Sequence, residues 1–481
     1  MRSPAGHFER NVGKVKRKRV KKTQMNKKRS AFSGKIGYVL SAAGASVGLG
    51  NIWRFPYLAA KYGGGIFLLV YIILALTFGY TMIVAESALG RMTRKSPVGA
   101  FRSFAKGKKV GWLSFGGWIN AIIPVLIVPY YSVIGGWVVK YLFEYIRGNG
   151  SKLAEDGYFS GFISSGGATE ICFVIFCMFT LVIIYAGVQN GIERVSKIMM
   201  PILIVLSVII AIYSVTRPGA IEGVKYFLVP NVKNFSWMTV VAAMGQMFYS
   251  LSIAMGILVT FGSYMRKDTS IEDSTRNVEI FDTAIAMMAG LMIIPAVFAF
   301  SGGDPDTLQA GPSLMFITIP KVFANMGFRN RSRYPVLRAG SVCGSDKLYR
   351  PDRKCGIHFR GRTWLGKKES NRSDRCDHDH SGNLSCLGYG PLDFVKIIGM
   401  QFLDFFDFLT NSVMMPIAAL MTSLLVSRVI GVDKIEEEIR HGESTFRRKK
   451  IFVVMIKYLC PIFALIILAS SVANAFGWIA M

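Results

Sequence analysis

The sequence predicts an all-α polytopic membrane protein, and three observations carry that prediction. Of 481 residues, 52% are hydrophobic, 34 are phenylalanine, and the mean hydropathy is +0.39. Such a composition belongs to membrane proteins rather than to soluble domains. Apolar runs of spanning length recur along the chain, and lysines and arginines gather in the breaks between them. That positive-inside pattern accounts for much of the formal net charge of +28, so nucleic acid is not required as a partner. Seven cysteines without a regular framework argue against a disulfide-stapled protein. The apolar parts hold no nucleophile–base set, metal motif or phosphate loop, so an enzyme is not expected.

Residues 1–29 have almost no apolar content and read as a disordered, basic cytosolic tail. Met25 is a natural start, which would make residues 1–24 an upstream extension; a polybasic lipid-binding tail is the competing reading. Apolar runs follow near 36–58, 66–90, 118–145, 168–188, 195–215, 238–262, 278–301, 392–428 and 451–478. Each has about 20 residues or more, enough to cross hydrocarbon. The loops Arg91–Lys109, Tyr264–Arg276 and Ser427–Lys450 hold much of the remaining Lys and Arg. They and the N-terminus are therefore placed on the cytosolic side of an inner (plasma) membrane, and alternation leaves the C-terminus outside. No water-soluble domain remains, and nothing in the sequence sets an oligomeric state.

Two of the runs are interrupted. Ser41–Gly65 carries Gly44, Gly48, Gly50, Asn51, Arg54 and Pro56 where a lipid-facing helix would carry Leu or Ile. Each glycine costs a helix about 1 kcal/mol relative to alanine, and unpaired backbone groups cost far more in hydrocarbon. A close-packing face would explain the glycines but not Asn51 or Arg54 at this depth. A helix broken at mid-membrane, its freed groups serving an ion and a substrate, explains both. Residues 245–256, GQMFYSLSIAMG, form a second polar, small-residue interruption.

The run GASVGLGNIWRFPYLAAKYGGGIFLLVY resembles the opening of the neurotransmitter:sodium symporter family, the group that includes the bacterial leucine transporter. The resemblance covers a core of residues 30–328, equivalent to helices 1–7, and resumes over 384–481 as helices 10–11. It implies two inverted five-helix repeats with broken first and sixth helices, and sodium-coupled amino-acid symport by alternating access. By matched motif it implies a first sodium held by the Ser46 carbonyl, the Asn51 side chain and the Ser250 hydroxyl, with the substrate carboxylate completing the shell. Asp282 would add a ligand and the negative charge that other members borrow from chloride. A helix-end aspartate in the headgroup zone, near Arg276, is the other reading of Asp282. Gly44 and Val47 would form half of a second sodium site.

For the substrate, the resemblance implies that Ala45 and Ser46 line the backbone and that the Tyr131 hydroxyl reaches the carboxylate; an interfacial aromatic is the alternative for Tyr131. Ile127, Tyr249, Ser252 and Met255, with Ser250 beside them, would line the side chain. The small Ala254 and Gly256 leave room there for larger apolar or aromatic amino acids. Arg54 and Asp407 match an outer gate pair, and Arg29 and Phe32 match inner gate residues. Tyr71 and Gln246 match positions around the chloride site, where Asp282 would make chloride unnecessary. Sodium is the coupling ion, and no cofactor is implied.

Residues 329–383 break the pattern. They contain no spanning run and concentrate Arg with Cys343, Cys355, Cys376, His358, His378 and His380, where the family has its eighth and ninth helices. Cysteine and histidine spacings fit no compact zinc pattern. An extracellular insertion is one reading. A one-nucleotide frameshift, restored near Leu384, is the other, because a shifted frame permits an apolar span ending in Thr-Ser-Ser. On either reading the eighth and ninth helices are missing or scrambled, and the printed chain would lack ligands of the second sodium site.

Overall fold

A computed structural model describes residue 32 and residues 34–48, 50–105, 111–301, 316–317, 319–321, 394–397, 399–442 and 445–475. Residues 1–29, with Arg29, and the segment 329–383 lie outside the described residues. The described chain is almost wholly helical, and seven of its helices are long and apolar enough to cross a membrane.

The two interrupted runs are interrupted in the structure. Helix α1, Lys35–Ser46, ends where Val47 turns extended (ψ 116°). The chain re-forms as a wide π-type turn at Gly50–Arg54 and continues as α2, Phe55–Lys61. Pro56 sits in the first turn of α2, where its missing N–H is not needed by the helix. After α3 (Gly65–Thr93, with a wide turn at Ala75–Gly79) come α4 (Pro97–Ala105), α5 (Ser114–Ile146), α6 (Tyr158–Ser164), α7 (Gly166–Gly187), α8 (Arg194–Val215) and α9 (Ala220–Leu228). Helix α10, Trp237–Ser250, opens on a capping box in which Ser236 and Thr239 exchange side-chain and backbone bonds. It stops at the second interruption, and α11, Ile257–Gly262, follows. Between them Ser252, Ala254 and Gly256 take φ of 53°, 60° and 61°. Left-handed Ser and Ala are uncommon, and each such residue costs on the order of 1–3 kcal/mol unless its surroundings hold it.

Helix α12 runs Ile271–Ser301, then α13 Phe402–Asp407 begins the span that continues to Ile430, α14 is Val432–Arg440, and α15, Lys449–Val454, begins the span Lys449–Asn474. Helix α12 starts well before the apolar run, inside the expected loop Tyr264–Arg276. The Ser270 hydroxyl accepts from the Asp273 N–H at 3.0 Å, and Glu272 and Asp273 favour the positive helix start. The expected loop Ser427–Lys450 likewise contains α14, which buries Val432, Ile435 and Ile439. Its Glu436 is held below the ordinary carboxylate range, chiefly by the Lys449 ammonium at 2.7 Å. Arg91, which the sequence reading makes the first residue of the loop Arg91–Lys109, is fully buried in the last turn of α3. Its Nε donates to Glu438 Oε1 at 2.7 Å, Nη1 to the Thr269 carbonyl at 2.6 Å, and Nη2 to the Glu438 carbonyl.

Helices α1, α3, α10, α11 and α12 pack on one another, whereas α7 and α8 leave Ile171, Met178, Ile198 and Val205 exposed, as lipid-facing helices must. The tightest crossing joins α3 to α11. A Cβ on Gly90 would lie 2.0 Å from the Val259 carbonyl oxygen, and one on Gly262 would lie 2.3 Å from that of Ser87. Backbone meets backbone there, as in small-residue contacts between membrane helices. Gly90→Ala is expected to destabilise the protein by about 1–3 kcal/mol through overpacking. Gly245→Ala, on α10 with nothing within 4 Å, is expected to be neutral or stabilising. Thermal unfolding in detergent compares the two.

Candidate functional site

The two interruptions and α12 bring a carboxylate and its donors together at mid-span. Asp282 lies about three turns into α12 and is fully buried. Its Oδ1 accepts from Asn51 Nδ2 at 2.9 Å and Ser250 Oγ at 2.8 Å; its Oδ2 accepts from the Tyr71 hydroxyl at 2.8 Å. Ser250 Oγ also lies 3.1 Å from Asn51 Oδ1. Asn51 comes from the wide turn after α1, Tyr71 from α3 and Ser250 from the last turn of α10. All four residues are fully buried. An intramembrane carboxylate is costly unless it is hydrogen-bonded or faces a cation, and this oxygen-rich cluster suits a hard cation.

Gln246 sits one turn before Ser250, and its Nε2 donates to the Gly50 carbonyl at 3.1 Å. A Cβ at Gly50 would lie 2.2 Å from the Tyr249 ring, so the wide turn reaches α10 only because this position is glycine. Gly44, Ser46 and Val47 lie at the end of α1, buried, with the Ser46 hydroxyl turned back to the Ala42 carbonyl at 3.2 Å. Ala45 belongs to the same turn.

Above this cluster is an aromatic layer. The Tyr131 and Tyr249 hydroxyls meet, and Tyr130 lies beside Tyr131 with ring centroids 5.4 Å apart. The Arg54 guanidinium lies 5.1 Å from the Tyr249 ring centre. Tyr130 donates to Asp407 at 3.1 Å, and Asn411 donates to the same carboxylate oxygen. The structure thus links Arg54 to Asp407 through three tyrosines. Tyr131 is 1% exposed, within its span rather than at an interface. Ile127, Ser252 and Met255 are buried on α5 and in the second interruption. Phe32 packs edge-on against Phe261 and Tyr264 at 5.6 and 6.5 Å, and its N–H donates to the Tyr264 carbonyl at 3.3 Å.

Sequence reasoning missed two residues here. Glu86, fully buried on α3, accepts from the Ala254 N–H at 2.7 Å and so holds the left-handed turn of the second interruption. A carboxylate inside the apolar run 66–90 was the available signal. Tyr130 was the other, masked by its neighbour Tyr131.

Residues 29–151 and 158–331 match the Sodium:neurotransmitter symporter family. The chain is 32% identical over 422 residues to an uncharacterized sodium-dependent transporter, YhdH, of Bacillus subtilis, covering 86% of this chain and 91% of that one. It is 30% identical over 464 residues to an uncharacterized sodium-dependent transporter of Haemophilus influenzae, covering 93% and 99%. Among solved structures it is similar to MhsT in complex with L-phenylalanine, with a TM-score of 0.82 and 31% identity over 92% of this chain and 100% of that one. With a helical membrane fold, a buried carboxylate cluster at two helix breaks and these matches, the chain belongs to the sodium:neurotransmitter symporter family, whose members are sodium-dependent transporters and not enzymes.

Proposed function

We propose that this chain is a sodium-coupled symporter of large apolar or aromatic amino acids, working by alternating access between two inverted repeats. The observation that carries the reading is Asp282, a buried carboxylate bound by donors from three other elements at both helix breaks. The L-phenylalanine complex of the similar MhsT supports the substrate class. In this reading Asp282, Asn51, Ser250 and the Ser46 carbonyl hold one sodium, and Gly44 and Val47 contribute to another. Ala45 and Ser46 flank the substrate backbone, Tyr131 meets its carboxylate, and Ile127, Tyr249, Ser250, Ser252 and Met255 surround its side chain. Arg54 and Asp407 close the outer side, and Arg29 and Phe32 the inner. With the Asp282 carboxylate supplying the negative charge that the Tyr71 hydroxyl meets, chloride has no role. The protein sits in the inner (plasma) membrane with its N-terminus in the cytosol.

The test is uptake of labelled phenylalanine, tryptophan and leucine into proteoliposomes under an inward sodium gradient. Expected are uptake that collapses when potassium replaces sodium and equal rates in chloride and gluconate. Uptake independent of sodium would overturn the reading, and a loss of rate in gluconate would overturn the chloride assignment.

One observation favours a second reading. The family match ends at residue 331, where the polar segment begins. A chain altered there would bind an amino acid without moving it. Saturable, sodium-dependent binding with no uptake would select that reading, and uptake by the chain as printed would reject it.

A further inference from the structure

Glu279 is a second buried carboxylate on α12, and the sodium reading does not use it. It lies one turn from Asp282 toward Ile271 and is 2% exposed inside an apolar span. Its Oε2 accepts from Arg448 Nη1 at 3.3 Å, a long bond, and its Oε1 is buried with no hydrogen-bond partner among the described residues. Nearby Glu272 differs, because both of its oxygens accept backbone N–H groups, from Arg447 at 3.0 Å and Arg448 at 3.1 Å. Arg448 is divided in turn, with its guanidinium 4.7 Å from the centre of the buried Tyr80 ring.

Several charged groups on the elements around α12 are engaged elsewhere: on α3, Glu86 accepts from the Ala254 N–H, and Arg91 donates to Glu438 and to the Thr269 carbonyl. On α1, Lys35 pairs with Asp273 at 3.1 Å, and the Tyr38 hydroxyl meets Ser87 at 2.9 Å. At the start of α8, Lys197 pairs with Glu193 at 2.8 Å, and on α9 Lys225 pairs with Glu222 at 3.0 Å. At the start of α15, Lys449 pairs with Glu436 at 2.7 Å. On α12 itself, Arg276 lies 3.5 Å from Asp273. Among the described residues, the ion pair of Glu279 is therefore its long contact with the Arg448 guanidinium, whereas Glu272 is held by backbone N–H groups. A buried carboxylate with half its acceptor capacity unmet is stabilised either by a second donor or by taking a proton.

We propose that Glu279 is a proton-binding site of this protein, separate from the Asp282 cluster, with the proton carried on Oε1. The proton comes from water at the Arg448 end of α12, and binding it leaves the carboxyl neutral with no bond broken. Arg448 sets the affinity, because its positive charge favours the ionised form.

Infrared difference spectra of the full chain in nanodiscs, acidic minus alkaline buffer, test this without requiring transport. The protonated-carboxyl carbonyl band of a buried acid is expected in the wild type, absent from Glu279→Gln and retained in Glu272→Gln. Arg448→Gln is expected to move its midpoint by about one pH unit or more. A band that survives in Glu279→Gln overturns the proposal. If that variant does not fold, a midpoint unmoved in Arg448→Gln overturns it instead, since a static ion pair has no such titration.

Discussion

Asp282→Asn is expected to lower the apparent sodium affinity of uptake by about 100-fold or more. The substitution keeps the shape of the side chain and removes its charge. Hydrogen bonds to a charged group are worth about 1.5–3 kcal/mol each, and Asp282 accepts them from Asn51, Tyr71 and Ser250. The asparagine keeps one acceptor oxygen and turns the other into an N–H₂, so a Tyr71 or Ser250 hydroxyl must reorient to accept, and the negative charge is gone. A loss of about 2.8 kcal/mol is two decades in affinity. Sodium titrations of uptake in proteoliposomes measure it, with thermal unfolding run beside them to show that the variant folds. An unchanged half-saturation for sodium would remove Asp282 from the ion site.

Arg91→Leu is expected to have the largest effect on stability, about 3–5 kcal/mol. The loss has a definite origin. Arg91 is fully buried, and its three nitrogens bond the Glu438 side chain, the Glu438 carbonyl and the Thr269 carbonyl. Leucine fills the space but takes a donor from the Glu438 carboxylate and the Thr269 carbonyl, and leaves the Glu438 carbonyl with the His441 N–H at 3.3 Å. Arg91→Leu with Glu438→Leu is expected to recover part of the loss, because removing both charges leaves no uncompensated ion. Unfolding midpoints of the two singles and the double form the cycle that measures the coupling.

Much of the fold was legible because membrane helices announce themselves by length and hydropathy, and because small and polar residues inside an apolar run need a reason. Gly48 with Asn51, and Ser252 with Gly256, marked both interruptions. What hydropathy did not show was where charge goes when a helix continues beyond its apolar run. Glu272 and Asp273 read as loop residues yet form the first turn of α12. Arg91 read as the first residue of a loop because it follows an apolar run, yet the helix runs on to Thr93 and Glu438 of α14 holds the guanidinium. The Asp282 cluster was legible residue by residue, but its closure was not. The resemblance placed Tyr71 near Asp282, but the direct bond between them, across 211 positions, is read from the fold.

The α3–α11 crossing at Gly90 and Gly262 has a mechanical consequence. With carbonyls seated this close to α-carbons, sliding or rolling α11 against α3 would drive backbone into backbone. The two are expected to move together. Each loses regular helical bonding at the same height, α3 in the wide turn Ala75–Gly79 and the α10–α11 chain just after Ser250, and the two irregular stretches touch where Gly79 meets the Leu251 side chain. The paired joints make an elbow, placed beside Ser250 and therefore beside whatever Asp282 holds.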